Sequence, residues 1–183
     1  MKTLVCFVHL LSACLAVGSV LLQDYALYRN LGKRLKKKDV IELTRAMQVI
    51  SLSLIALWLS GIALVTLGYL AEPETYLTNQ KLWAKVLVVA ILTINGMALH
   101  RVVFPQLKAG TELLRLRASE FARAVFFGAI STVSWLFACY LGIARPWNYS
   151  LELFSILQVY GLIIAMALTG GVVIFRLSAR RYN

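Results

Sequence analysis

The sequence predicts an all-α, polytopic transmembrane helix bundle of five spans, with the N-terminus outside and the C-terminus cytoplasmic. Three observations predict it. Sixty per cent of the 183 residues are hydrophobic and the mean hydropathy is +0.76. The apolar residues fall in runs of about 20, long enough to cross about 30 Å of hydrocarbon, and they do not alternate as barrel strands would. The charges, which sum to +11, lie mainly between those runs. The spans fall at residues 3–23, 46–70, 82–104, 121–143 and 152–175, within a single integral membrane domain covering 1–183.

Span one, "LVCFVHLLSACLAVGSVLL", follows a minimal basic start and contains Leu11-Ser12-Ala13-Cys14, the shape of a lipoprotein cleavage box. The apolar run continues beyond Cys14 to Leu22, where a leader's apolar core would have closed, so a retained helix is expected. The connection at 24–45 carries Arg29, Lys33, Arg34, Lys36, Lys37, Lys38 and Arg45. It is expected to continue helically beyond the membrane. Span two ends before Pro73, and Pro105 stops span three. The connection at 101–123 carries Arg101, Lys108, Arg115, Arg117 and Arg123; its "TELLRLRASEFARAV" is expected to lead helically into span four. Pro146 lies in the turn before span five, and the tail adds Arg176, Arg180 and Arg181. That leaves Lys2, Lys81, Lys85 and Arg145 for the other side, and the excess of Lys and Arg in loops marks the cytoplasmic face. Trp83, Trp147, Tyr69, Tyr76 and Tyr149 sit at the opposite edges, where amphipathic rings prefer the headgroup level.

This charge placement predicts anionic lipid contacts on the cytoplasmic side and a multi-pass protein of a bacterial-type inner (plasma) membrane. No polar domain interleaves basic residues with aromatics, so nucleic-acid binding is not expected. Cys6, Cys14 and Cys139 all lie inside apolar runs with no CxxC pair, which predicts small buried hydrophobes rather than a disulfide framework. There is no glycine-rich phosphate loop, carboxylate pair or nucleophile–base spacing.

Ionisable residues at membrane depth are costly and call for a partner or a purpose. His9 lies about 9 Å along span one at 1.5 Å per residue, and Ala13, Ala16, Val20 and Gln23 share its face, with Ser12 and Asp24 at the margin. This face of small residues is expected to point into the bundle, where His9 would act as a metal ligand or bond to Gln158, a tyrosine or a carbonyl. Lys85, Gly96 and His100 share a stripe of span three, flanked by Thr93 and Asn95. His9 and Lys85 then belong to an outer layer with Gln158 and Tyr140, and His100 to an inner layer with Gln23, Asp24 and Arg101. Lys85 could instead snorkel to the interface, and His100 with Arg101 could form an interfacial pair. The separation in depth argues against one haem held by both histidines. The small residues Gly128, Thr132, Gly161, Gly170 and Gly171 are expected to be packing surfaces.

Three segments carry a family resemblance: "VHLLSACLAVGSVLLQDYALYRN", "LWLSGIALVTLGYL" and "KLWAKVLVVAILTINGMALH". With His9 early in span one, Ser60-Gly61 late in span two and Trp83-x-Lys85 opening span three, residues 4–105 resemble the HemJ-type protoporphyrinogen oxidases and related CopD-like membrane proteins. The resemblance implies a haem-dependent oxidoreductase with haem b, His9 as the axial ligand and Lys85 as the functional, catalytic and cofactor-binding lysine. His100 is the alternative cofactor-binding ligand. Two other readings stay open: a non-catalytic subunit or scaffold of a larger membrane complex, and a small transporter. In each, a homo-oligomer or a complex is the expected assembly.

Overall fold

The structure, a computed structural model, describes residues 1–182, with side chains to residue 174. Arg176, Arg180 and Arg181 therefore lie outside the described side chains. Five long α-helices make the fold: α1 (Lys2–Arg29), α2 (Lys37–Ala71), α3 (Gln80–Ala98), α4 (Ala118–Ile143) and α5 (Leu153–Tyr182). Each contains a segment long and apolar enough to cross a membrane: Lys2–Arg29, Lys37–Ala71, Gln80–Gln106, Ala118–Ile143 and Leu153–Ile174. Helices suit this setting because every interior backbone N–H and C=O pairs within its own segment.

α1 and α2 pack along each other, α3 packs on α4, and α5 lies against α4 and α3; α1 also touches α4. The chain start and the α2–α3 and α4–α5 turns share one end of the bundle, here called the N face. The 30–36 and 99–117 connections share the other, the basic face.

Three apolar clusters stack between these faces. Near the N face, Ala84, Val88, Val133, Phe137, Leu141, Ile156 and Tyr160 join α3, α4 and α5. In the centre, Ala16, Val20, Leu57, Leu92 and Trp135 join α1 to α4. At the basic face, Leu35, Leu43, Val103, Leu107 and Leu113 seal the connections.

The 24–45 connection is not one continuous helix. α1 ends at Arg29, and the chain turns through Gly32 (φ +74°) before α2 begins at Lys37. The break lets Leu35 enter the basic-face cluster and pair its backbone with the second connection. The Leu35 N–H donates to Thr111 O and the Gly110 N–H to Leu35 O, both at 2.8 Å. Gly110 takes φ +90°, a conformation that a side chain would strain.

The segment from Thr111 also differs from the helical expectation. It forms a 3₁₀ turn at Leu113–Arg115, and α4 starts only at Ala118, where Glu120 accepts from the Arg117 N–H at 3.1 Å. Pro105 stops span three, but the helix has already widened into a π turn at Leu99–Val103.

Buried positions on α1 are Ser12, Ala16 and Val20, the small-residue face expected to turn inward. Cys6 and Cys14 are exposed on the outer surface of α1 and Cys139 is half-buried. The expectation that all three are buried hydrophobes is thus corrected: α1 is wrapped on one side only, and those two cysteines lie off that side.

Among the glycines expected to pack, Gly171 alone meets a neighbouring helix: a Cβ there would stand 2.7 Å from Val125 Cγ1. At Gly128, Gly161 and Gly170 a Cβ would meet nothing within 4 Å. Gly171→Leu is therefore expected to push α5 from α4 and cost about 1–3 kcal/mol of overpacking. Gly161→Leu should leave stability unchanged. Thermal unfolding of both variants in detergent checks the contrast.

Candidate functional site

The polar side chains inside the bundle mostly tie one helix to another. Trp58 Nε1 donates to Thr93 Oγ1 at 3.0 Å, joining α2 to α3. Asn95 Nδ2 donates to Phe127 O at 3.0 Å, and Thr132 Oγ1 donates to Asp24 Oδ2 at 2.5 Å. Ser134 and Tyr160 share a hydrogen bond of 2.7 Å between α4 and α5. Interhelical bonds of this kind contribute about 0.6 kcal/mol each, up to about 2.

His9 makes the most informative of these contacts. Its Nδ1 lies 2.9 Å from Ser60 Oγ on α2. Ser60 has a single hydroxyl proton, which it donates to Ala56 O at 2.6 Å in its own helix. Ser60 Oγ is thus the acceptor, and His9 Nδ1 carries the proton. In a neutral imidazole the other nitrogen, Nε2, then holds the lone pair. Gly61 adjoins the ring, where an added Cβ would rest 3.6 Å from Cε1. The sequence offered Gln158, a tyrosine or a carbonyl as partner. Gln158 is exposed on α5, and Ser60 is the side-chain partner.

Lys85 is half-buried on α3, within electrostatic range of His9 and of the Cys6 and Cys139 thiols. His9, Lys85 and Cys139 are each half-buried on α1, α3 and α4, and Cys6 is exposed on α1. Among the described residues no three His, Cys, Asp or Glu side chains are grouped to hold a metal ion. Lys85 forms no hydrogen bond or ion pair among the described residues, where the ion pairs are Lys38–Glu42 and Arg115–Glu112.

His100 stands apart from this group. It is exposed, and its Nε2 lies 3.2 Å from Ser51 Oγ. Ser51 and Ser60 are nine residues apart on one straight-running helix, about 13.5 Å by helix rise. The expected stripe Lys85–Gly96–His100 does not face inward. The buried positions of α3 are Lys81, Ala84, Val88, Leu92 and Asn95, and His100 lies off that face by the helix period alone.

Sequence reasoning missed Lys81. It is only 6% exposed, and its Nζ donates to Ala144 O at 2.9 Å, holding the C-terminal end of α4. Its spacing to Ala84, Val88 and Leu92 was the available signal. Tyr76 was expected merely at the membrane edge. Its ring in fact covers Gly68, where any Cβ would collide with it. Burial, with the neighbouring Tyr149 phenol adding to it, pushes the Tyr76 phenol above its ordinary value, so it stays a neutral O–H donor.

The fold and these interhelical bonds define a polytopic α-helical integral membrane protein. Compared with protein-family models, curated proteins and solved structures, the chain matches none of them.

A double-mutant cycle on His9→Ala and Ser60→Ala is expected to give a coupling of about 0.5–1.5 kcal/mol in reversible unfolding. The same cycle with Gln158→Ala in place of Ser60→Ala should give none.

Proposed function

We propose that this integral membrane protein binds b-type haem as a redox protein related to the HemJ-type protoporphyrinogen oxidases. His9 would be the axial ligand and Lys85 the partner of an anionic group on the ring. The observation that carries the reading is His9 Nδ1 at 2.9 Å from Ser60 Oγ, whose own proton goes to Ala56 O; a ring proton on Nδ1 then leaves Nε2 with a lone pair. A histidine ligand in metal sites is generally fixed in this way, its second nitrogen bonded to a neighbour. The residues present fit such a group: one oriented imidazole, a small-residue flank at Ser60-Gly61, and an ammonium group with no counter-charge among the described residues.

Bound there, haem would supply one-electron transfer. The chain's own contribution is orientation and charge. Ser60 keeps the imidazole in one tautomer and makes it a better donor. Lys85 offers three N–H donors and a positive charge for a carboxylate in a region of low dielectric, where such a pair is strengthened. The 13.5 Å offset between the serines that bond the two histidines speaks against a bis-histidine haem within one chain. A second ligand would come from another residue, another subunit or solvent.

The same reading puts the N face outside and the basic face in the cytoplasm of a bacterial-type inner membrane, supported by the crowding of Lys and Arg at the basic face. It leaves anionic lipids of the cytoplasmic leaflet, and a homo-oligomer or a larger complex, as the partners.

Two measurements test this. Protein purified from haem-replete cells should show a Soret band and a reduced-minus-oxidised difference spectrum. His9→Ala should abolish both, and Lys85→Gln should weaken haem retention by about tenfold, the scale of one charge-assisted bond. No Soret band in the unaltered protein contradicts the proposal, and a spectrum that survives His9→Ala moves the ligand to His100. For orientation, single cysteines introduced at Thr78 and Lys108 in an otherwise cysteine-free chain should differ in intact cells. A membrane-impermeant maleimide should label position 78 and spare position 108; the reverse pattern inverts the protein.

A further inference from the structure

A second feature of the N face shares Lys85 with the haem reading and is otherwise separate from it. The α2–α3 turn and the α4–α5 turn flank an open cleft of about 320 Å³, lined by Tyr76, Asn79, Lys81, Leu82, Lys85, Gly142, Arg145 and Asn148, of which Gly142, Arg145 and Asn148 are exposed. That volume falls at the lower end of the roughly 300–1,000 Å³ found for small-molecule sites. Three of the lining residues are cationic and none is acidic. No described ion pair neutralises any of the three. A cluster of like charges with no counter-charge repels itself, so its presence at the mouth of an apolar bundle calls for an anion.

The cleft is built rather than incidental. Lys81 is 6% exposed, and one of its three N–H donors is spent on Ala144 O, which pins the 144–148 turn to α3. The two turns are joined again where Gln80 Oε1 accepts from the Leu153 N–H at 2.6 Å. Asn79 caps α3 by accepting from the Lys81 N–H at 3.1 Å, so the positive end of the α3 dipole also faces this side. The Tyr76 ring is seated on Gly68 and brings a hydroxyl donor to the wall. The acids of this face lie outside the lining: Glu72 and Glu74 are in the α2–α3 turn, where Glu72 accepts from Thr75, and Glu152 lines a separate cleft with Thr78, Gln80 and Tyr149.

We propose that this cleft is a binding site for a phosphate-class oxyanion, with Lys81, Lys85 and Arg145 supplying charge and Tyr76, Asn79 and Asn148 supplying neutral donors. The oxyanion is either the phosphodiester of a lipid headgroup in the N-face leaflet or a free phosphate. A tetrahedral anion suits the wall because it presents oxygens in several directions at once, and the donors arrive from two turns and one helix end. The proposal does not depend on haem: Arg145 and Asn148 play no part in the His9 group.

The test uses the full chain in detergent and in nanodiscs. In detergent, inorganic phosphate at constant ionic strength should raise the unfolding midpoint saturably, while chloride does not. In nanodiscs, native mass spectrometry should show retained phosphatidylglycerol in excess over phosphatidylcholine. Arg145→Gln is expected to weaken whichever response occurs by about tenfold, and Arg145→Gln with Asn148→Ala to abolish it. Both variants should unfold in chloride as the unaltered chain does and keep its haem spectrum. A phosphate response that the variants weaken identifies a free oxyanion. A lipid response alone, weakened in the same way, identifies a headgroup. If neither probe responds, or if the variants respond like the unaltered chain, the site is refuted. A lost Soret band with an intact phosphate response would remove the haem reading and leave this one standing.

Discussion

A polar group carried into hydrocarbon must find its partner inside the protein, and this constraint organises the bundle. Apolar burial alone would hold the helices weakly, because lipid solvates leucine as well as another helix does. The specific pairing of helices falls to a few bonds: His9 with Ser60, Trp58 with Thr93, Asn95 with the Phe127 carbonyl, Asp24 with Thr132, Ser134 with Tyr160, and Lys81 with the Ala144 carbonyl. Each fixes a register that the apolar clusters then fill. Large apolar side chains such as Leu59, Leu70, Ile94 and Leu162 stay exposed, as expected where the surrounding solvent is lipid.

Against that background the exceptions carry the functional argument. Lys85 brings an ammonium group to the bundle without a described partner, and His9 is left with one nitrogen unprotonated by the way Ser60 spends its proton. Arg145 joins Lys85 and Lys81 around the N-face cleft with no acid lining it. The bundle bonds Asp24 and Ser134 across helices, while Lys85 and Arg145 have no ion partner among the described residues.

Much of the architecture was legible in the sequence. Hydropathy and the distribution of Lys and Arg located all five membrane helices, because both respond directly to the lipid boundary. The inward face of α1 followed from its helical spacing of small residues. Three things did not follow. The break at 30–36 rests on Gly32 and on backbone pairing with residues 110 and 111, a contact distant in sequence. The inward stripe of α3 was misplaced by one residue, because Lys81 looks like an interfacial lysine until its ammonium is seen to reach the end of α4. His100 shares the stripe of Lys85 and Gly96, but that stripe runs beside the buried face of α3, and His100 is exposed at its end. For the site, the residue types His9 and Lys85 were readable, but the serine that decides which imidazole nitrogen is free was not.

The central claim is that Ser60 Oγ accepts a hydrogen bond from His9 Nδ1–H, which leaves the lone pair on Nε2. With only two histidines in the chain, nitrogen NMR of ¹⁵N-histidine-labelled protein purified without haem addresses it directly, with His100→Gln assigning the remaining ring. The account predicts a neutral His9 protonated at Nδ1, switching towards the other tautomer in Ser60→Ala. A His9 protonated at Nε2 in the unaltered chain would contradict it.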